Sequence, residues 1–330
     1  MIYNSRIINL LDIKTPLIVA PMYLVTNEDM VIAACKTGAT GAIPAMNWAT
    51  PELMQKGITK IKSQTNKPFG INIITHSSNP KLNEQLQVCI DKQVSFIITS
   101  LGNPEAVIKK CKQHGIKVFC DVVDERHAKR LEEAGADALI AVNKNAGGHA
   151  GALSPETLIK RLLSEVSIPI ISAGGVATTE QLQHIFDLGA EAVSVGTVFI
   201  ATHECSVSDE YKQAVIQYTA KDIVMTDRLS GTPCAVINTP YVKKIGTKQN
   251  LLERILNRNK KLKRHLKQYA YSRGMKMLKR AAFSATYQTV WVAGPCIEHV
   301  NRIKSVSDTI KDIVGSVEFS DRKNNEQCLH

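Results

Sequence analysis

The chain has 330 residues, enough to bury a large core as one α/β domain or two smaller ones, and its 44% hydrophobic and 22% charged content is that of an ordinary globular protein. No run of 18 apolar residues occurs, and Arg6, Asp12 and Lys14 interrupt the first 22 positions, so neither a membrane span nor a secretory signal is visible and the expected location is cytoplasmic. The net charge of +11 is concentrated in residues 251–280, where eleven Lys and Arg face the single Glu253.

Short apolar runs recur along the first two thirds of the chain, at 17–22, 40–45, 69–73, 95–100, 117–122, 136–143, 168–175 and 190–199. Helical periodicity fills most of the intervals, at 79–93, 104–114, 124–134, 154–166 and 178–188. Ser154-Pro155 and Thr178-Thr179-Glu180 have the composition of helix starts, and Gly38, Gly115, Gly135 and Gly189 sit where left-handed C-terminal caps belong. Strands that are apolar throughout, rather than alternating, are expected when both faces are covered, as in a parallel sheet. Eight such units predict a (β/α)₈ TIM barrel of the α/β class, with an open doubly wound sheet as the alternative.

After residue 205 the rhythm stops. Residues 208–219 read as a helix, 222–242 as extended and loop segments, 248–285 as long basic helices, and 302–317 as an apolar helix returning to the barrel wall. The expected division is a barrel over 1–205, a mainly helical lid or insertion over 206–300, and a closing helix with a short frayed tail over 301–330. The eight cysteines are scattered, without C-x-x-C or a His/Cys pair at ligand spacing, and read as reduced core residues rather than zinc ligands or disulfides.

A parallel barrel places its functional residues at the C-terminal strand ends. Those ends read Pro21-Met22, Asn72, Ser100, Asp121, residues 143–149, Gly174-Gly175 and Gly196-Thr197. The stretch NAGGHAG at 145–151 strips bulk from both sides of His149, which suits close approach of backbone to a ligand. The turns SAGGV and VGTVF stand where barrels commonly hold a phosphate through backbone N–H groups. Each feature has a plainer reading: tight turns without a ligand, a core or capping histidine, and an Asp121 that caps its own helix or pairs with Arg126.

On PLIVAPM, KPFGINI, ADALIAVNKNAGGHAG, IPIISAGGV and GAEAVSVGTVFIATHEC, the chain resembles the nitronate monooxygenase family, formerly 2-nitropropane dioxygenases, which is related to flavin-dependent enoyl-acyl carrier protein reductases. SGTPCAVINT and WVAGP match later family segments more loosely. The resemblance implies a TIM barrel with non-covalent FMN that oxidises alkyl nitronates or nitroalkanes with O₂ to a carbonyl compound and nitrite. It implies a flavin ring against Ala20, Pro21 and Met22, with Asn72 and Asp121 contributing and Ala146, Gly147 and Gly148 close by. It also implies a phosphate held by Ala173, Gly174, Gly175, Gly196 and Thr197, with His149 as catalytic base.

Two departures stand out. Many members read Q-G-x-E before the AGGH element where this chain has Val142, Asn143, Lys144 and Asn145, and Asp121 replaces a Lys or a neutral residue of some relatives. An NAD(P)H-dependent flavin reductase of the enoyl-acyl carrier protein or quinone type is the alternative function. A non-enzymatic barrel ranks third, having no need of intact phosphate turns. Segment 251–280 reads as a solvated helical face, or as a docking surface for an acidic protein partner or an anionic lipid surface. Nucleic acid is the weakest reading, since binding motifs are missing and Tyr269 and Tyr271 are the only aromatics in the run.

Overall fold

The computed structural model describes residues 2–227, 229, 232–248 and 290–320; the basic stretch 251–280 and the tail from 321 lie outside them. The chain opens with β1 (Ile2–Asn4) and α1 (Arg6–Leu11). It then alternates β2 (Leu17–Val19), α2 (Glu28–Lys36), β3 (Thr40–Pro44), α3 (Pro51–Gln64), β4 (Gly70–Thr75) and α4 (Leu82–Asp91). The alternation continues with β5 (Phe96–Gly102), α5 (Glu105–Gln113), β6 (Lys117–Val122), α6 (Ala128–Glu133), β7 (Ala138–Val142), α7 (Pro155–Leu163), β8 (Ile170–Ala173), α8 (Thr179–Asp187) and β9 (Ala192–Val195). Strands β2 to β9 pair in parallel, each with the next, and β9 returns to β2, so the eight-stranded barrel is closed.

The predicted punctuation operates as such. Ser154 caps α7 by accepting from Thr157 N–H, and Thr178 and Gln181 form a reciprocal capping box at α8. Gly38, Gly115, Gly135 and Gly189 all take positive φ. The run predicted as strand over 190–199 stops at Val195, because Gly196 turns out of extended geometry and Thr197–Phe199 forms one 3₁₀ turn.

Two layers of core hold the barrel. Outside the strands, aliphatic faces of the helices pack on Leu17, Val19, Ile71, Ile73, Val118 and their neighbours. Inside, Ile18, Phe96, Ile98, Phe119, Ile140 and Ile171 fill the lumen, with Phe96 and Phe119 stacked at 5.0 Å. Gly70 makes that stack feasible, since a Cβ there would lie 2.2 Å from the Phe96 ring. Helix α1 seals the floor, an element absent from the sequence reading. Its Ile7 and Leu11 enter the lumen core, and its Arg6 binds Glu191 through main-chain N–H (2.8 Å) and guanidinium.

The described residues of 206–300 hold both helices and strands. They comprise α9 (Asp209–Gln217), β10 (Ile223–Thr226), β11 (Cys234–Ile237) and α10 (Pro240–Ile245), with β10 and β11 an antiparallel pair. Helix α11 (Val306–Val314) packs on α2 and α8, and β12 (Glu318–Ser320) pairs in parallel with β1. Among the described residues no helix is long and apolar enough to cross a membrane. Seven cysteines are described, all buried and free.

Candidate active site

The C-terminal strand ends open into a cavity of about 510 Å³, within the range of cofactor and substrate clefts. Ala20, Pro21 and Met22 lead out of β2, Asn72 belongs to β4 and Asp121 to β6. Ala146, Gly147, Gly148 and His149 follow β7, Ala173 ends β8 before Gly174 and Gly175, and Gly196 and Thr197 follow β9. Every one of these sequence-derived candidates lines the same cavity.

On one side, a hydrogen-bond chain crosses three strands. Asn72 Nδ2 donates to Ile98 O at 3.2 Å and to Ser100 Oγ at 2.7 Å. The Ser100 hydroxyl donates its single hydrogen bond to Asp121 Oδ2. Burial pushes the Asp121 carboxyl up to about 6, with the Ser100 bond opposing that shift. Asp121 forms no pair with Arg126, whose Nε donates to Asp124 Oδ2 at 3.0 Å; Asp124 also caps the turn that follows β6.

The histidine loop is fastened from below by a residue that the sequence marks as a strand end and as a departure from the family pattern, without a role of its own. Asn143 is fully buried at the end of β7; its Nδ2 donates to Gly174 O at 3.0 Å, and its Oδ1 accepts the Asn145 N–H at 2.8 Å. It thereby ties the turn after β7 to the turn after β8. The glycines are required where those turns meet. Gly174 has φ +112°, and a Cβ on it would lie 2.4 Å from Ala146 N and 2.7 Å from Ala146 Cα.

From above, the loop is held by the returning chain. Gly148 N donates to Ala235 O at 3.2 Å and Ala235 N to Gly148 O at 2.6 Å, so β11 docks directly on the residue before His149. Gly294 N–H reaches Thr197 Oγ1 at 2.9 Å, and a Cβ on Gly294 would lie 2.8 Å from Asn145 O. Tyr211 donates its hydroxyl to Val292 O and stacks on Trp291 at 5.7 Å. Cys234, Val290, Val292 and Cys296 complete this outer wall, which the sequence signalled only through its loosely matching late segments.

The cavity is sparsely charged. Among the described lining residues Asp121 is the only acid, and there is no lysine or arginine. Burial lowers the His149 pKa below its ordinary value, and it raises the thiols of Cys234 to about 12 and Cys296 to about 11, leaving both protonated.

A closed parallel barrel with one cavity at its C-terminal strand ends is the architecture of TIM-barrel enzymes. The chain belongs to the nitronate monooxygenase family, whose model matches residues 4–85 and 76–316, and is accordingly an oxidoreductase. It is 28% identical over 276 residues to the nitronate monooxygenase of Paraburkholderia phytofirmans, covering 69% of this chain and 75% of that protein. It is also 28% identical over 248 residues to the (3aS,4S,5R,7aS)-5-hydroxy-7a-methyl-1-oxo-octahydro-1H-indene-4-carboxyl-CoA dehydrogenase of Rhodococcus jostii (strain RHA1), covering 75% and 69%. Among solved structures it is similar to FabK from Thermotoga maritima, with a TM-score of 0.81 and 28% identity over 98% of each chain.

Proposed function

We propose that the protein is an FMN-dependent nitronate monooxygenase that oxidises alkyl nitronates or nitroalkanes with O₂ to a carbonyl compound and nitrite, with His149 as catalytic base. The observation that carries this reading is the convergence of two glycine turns, an apolar wall and one histidine on a single cavity.

The lining residues fit FMN. Gly174 and Gly175, at φ +112° and +81°, present main chain unshielded by Cβ, and together with Gly196 and Thr197 they supply a cradle for a phosphate without any cationic side chain. Ala20, Pro21 and Met22 offer an apolar surface to a planar ring, and Asn72 and Asp121 offer polar atoms to its edge. When bound, the flavin supplies electron transfer to O₂, which no side chain of this cavity provides.

The protein's own part is proton chemistry and placement. Because burial disfavours the imidazolium, His149 is neutral near pH 7, the state in which an imidazole can take the proton from the carbon beside a nitro group. Once protonated, it carries the charge that complements the nitronate anion. The bridge between Gly148 and Ala235 fixes where the imidazole starts, which lowers the entropic cost of that geometry.

Similarity to FabK over nearly all of both chains, and to a dehydrogenase of a carboxyl-CoA, favours a second reading: an NAD(P)H-dependent flavin reductase of the enoyl-acyl carrier protein or quinone type. Anaerobic visible absorbance separates the two. Bleaching of the flavin by ethylnitronate but not by NADH or NADPH supports the monooxygenase; rapid bleaching by a pyridine nucleotide overturns it in favour of the reductase.

A further inference from the structure

The chain from Asn72 through Ser100 to Asp121 has a fixed direction. An amide NH₂ can only donate, so the bond from Asn72 Nδ2 occupies a lone pair of the Ser100 oxygen, and the hydroxyl proton is left for Asp121 Oδ2. The carboxyl is thus gripped at one oxygen, and the other is left to serve the cavity that Asp121 lines.

Position in the barrel matters as much as direction. With the strands in the order β2 to β9 around a closed ring, each faces the strand four places on. Asn72 on β4 therefore lies across from Gly174 after β8, Ser100 on β5 across from Gly196 after β9, and Asp121 on β6 across from the Ala20, Pro21 and Met22 wall after β2. The acid stands away from the turns suited to an anion. An elongated ligand with its phosphate at those turns meets Asp121 with a different part of itself, and a carboxylate there calls for an N–H or O–H donor.

Resting on the FMN reading above, we infer that Asp121 is the hydrogen-bond acceptor for the ring imide N–H of the flavin, and that Asn72 and Ser100 are positioning residues that determine which carboxylate oxygen is offered. The oxidised flavin ring carries a single N–H, whereas its carbonyl edges only accept; the hydroxyls of the ribityl arm are the other available donors. Around Asp121 the titratable groups among the described residues are the Cys120 thiol on its own strand and, in the same cavity, Tyr23, His149, Tyr211, Cys234 and Cys296. Its register partner on β7 is Ile140, and no cation from β5 or β7 faces it.

The carboxyl, raised to about 6, accepts the imide proton only when ionised. Flavin affinity is then full above that pH and is lost as pH falls through it. FMN itself is a poor probe of this effect because a phosphate monoester also titrates near pH 6. Riboflavin lacks the phosphate, and 3-methylriboflavin lacks the N–H.

The test is the dissociation constant of both ligands, from flavin fluorescence, for the full-length protein and for Asp121→Asn and Ser100→Ala. In Asp121→Asn the amide oxygen can still accept from Ser100, which turns an NH₂ donor toward the ligand. Riboflavin binding at pH 7.5 should weaken by about 10- to 100-fold, the worth of a charge-assisted bond, and lose its pH dependence. The same variant should bind 3-methylriboflavin as the unaltered protein does. Ser100→Ala should move the pH of half-loss above about 6, because the bond that favours ionisation is gone.

Riboflavin affinity within twofold in Asp121→Asn overturns the inference. So does an equal loss for riboflavin and 3-methylriboflavin, which would assign the donor to the ribityl hydroxyls. An unaltered protein that binds neither FMN nor riboflavin overturns the proposed function itself, an outcome distinct from both.

Discussion

Replacing Gly174 with alanine tests whether the turns after β7 and β8 are held together as tightly as the geometry says. At φ +112° an L-residue is strained by about 1–3 kcal/mol. The new Cβ would also sit 2.4 Å from Ala146 N, 2.7 Å from Ala146 Cα and 2.8 Å from Asn143 Oδ1. Two of those three atoms are backbone and the third is a buried, doubly engaged amide, so relief requires moving the loop at a further cost of about 1–3 kcal/mol. The total, about 2–6 kcal/mol, lowers the melting temperature by roughly 3–9 °C for a chain of this length.

Gly115 is the control. It also has positive φ, at +69°, but nothing lies within 4 Å of a Cβ added there, so Gly115→Ala should show the conformational strain alone, about 1–2 kcal/mol. Scanning calorimetry of both variants, with and without FMN, reads the difference, and FMN should rescue Gly174→Ala less than the unaltered protein because the displaced loop carries Gly147, Gly148 and His149. Equal melting temperatures for the two variants would refute the crowding argument.

Three further outcomes are expected. His149→Ala should retain flavin while losing turnover by about 10²- to 10⁴-fold, and in the unaltered protein the acid limb of kcat/KM should lie below the ordinary histidine value, since burial lowers this imidazole and activity is lost only as pH falls through that lowered pKa. Tyr211→Phe removes the donor to Val292 O and should cost about 1–3 kcal/mol in chemical denaturation while weakening flavin binding through the outer wall. Glu191→Ala strips Arg6 of its carboxylate at the barrel floor; it should lower stability by about 1–3 kcal/mol and leave flavin affinity within twofold, because the floor and the site lie at opposite ends.

The barrel was legible because its strands are apolar on both faces and its helices begin and end at Ser154, Thr178, Gly135 and Gly189, all local signals. The inner face of the site was legible for the same reason: Gly174, Gly196 and His149 sit at strand ends that the alternation had already located. The roles of Asn143 and of the late segments were not, because they depend on contacts between residues far apart in sequence. Nothing near Asn143 announces that its amide will meet Gly174 O, 31 positions on. Likewise, the extended character of 234–237 was visible, but its docking on Gly148 is a pairing of surfaces that no local pattern encodes. Arg6 reads as an ordinary polar interruption until Glu191, 185 positions away, supplies its partner.

The sealed floor also constrains the order in which the molecule can be finished. The plug in α1 leaves the ribosome before every strand of the barrel, yet Glu191 follows 185 residues later and the strand that pairs with β1 begins at Glu318. The early barrel strands therefore emerge with a lumen that has no complete base, and apolar residues such as Phe96 and Phe119 must wait for covering. Ring closure is a long-range event with a large loop-closure cost, so a nascent chain of this kind is exposed to aggregation until the residues that close the barrel have been made. Slowing translation near the middle of the message should lengthen that vulnerable interval, whereas slowing it after Ser320 is encoded should not.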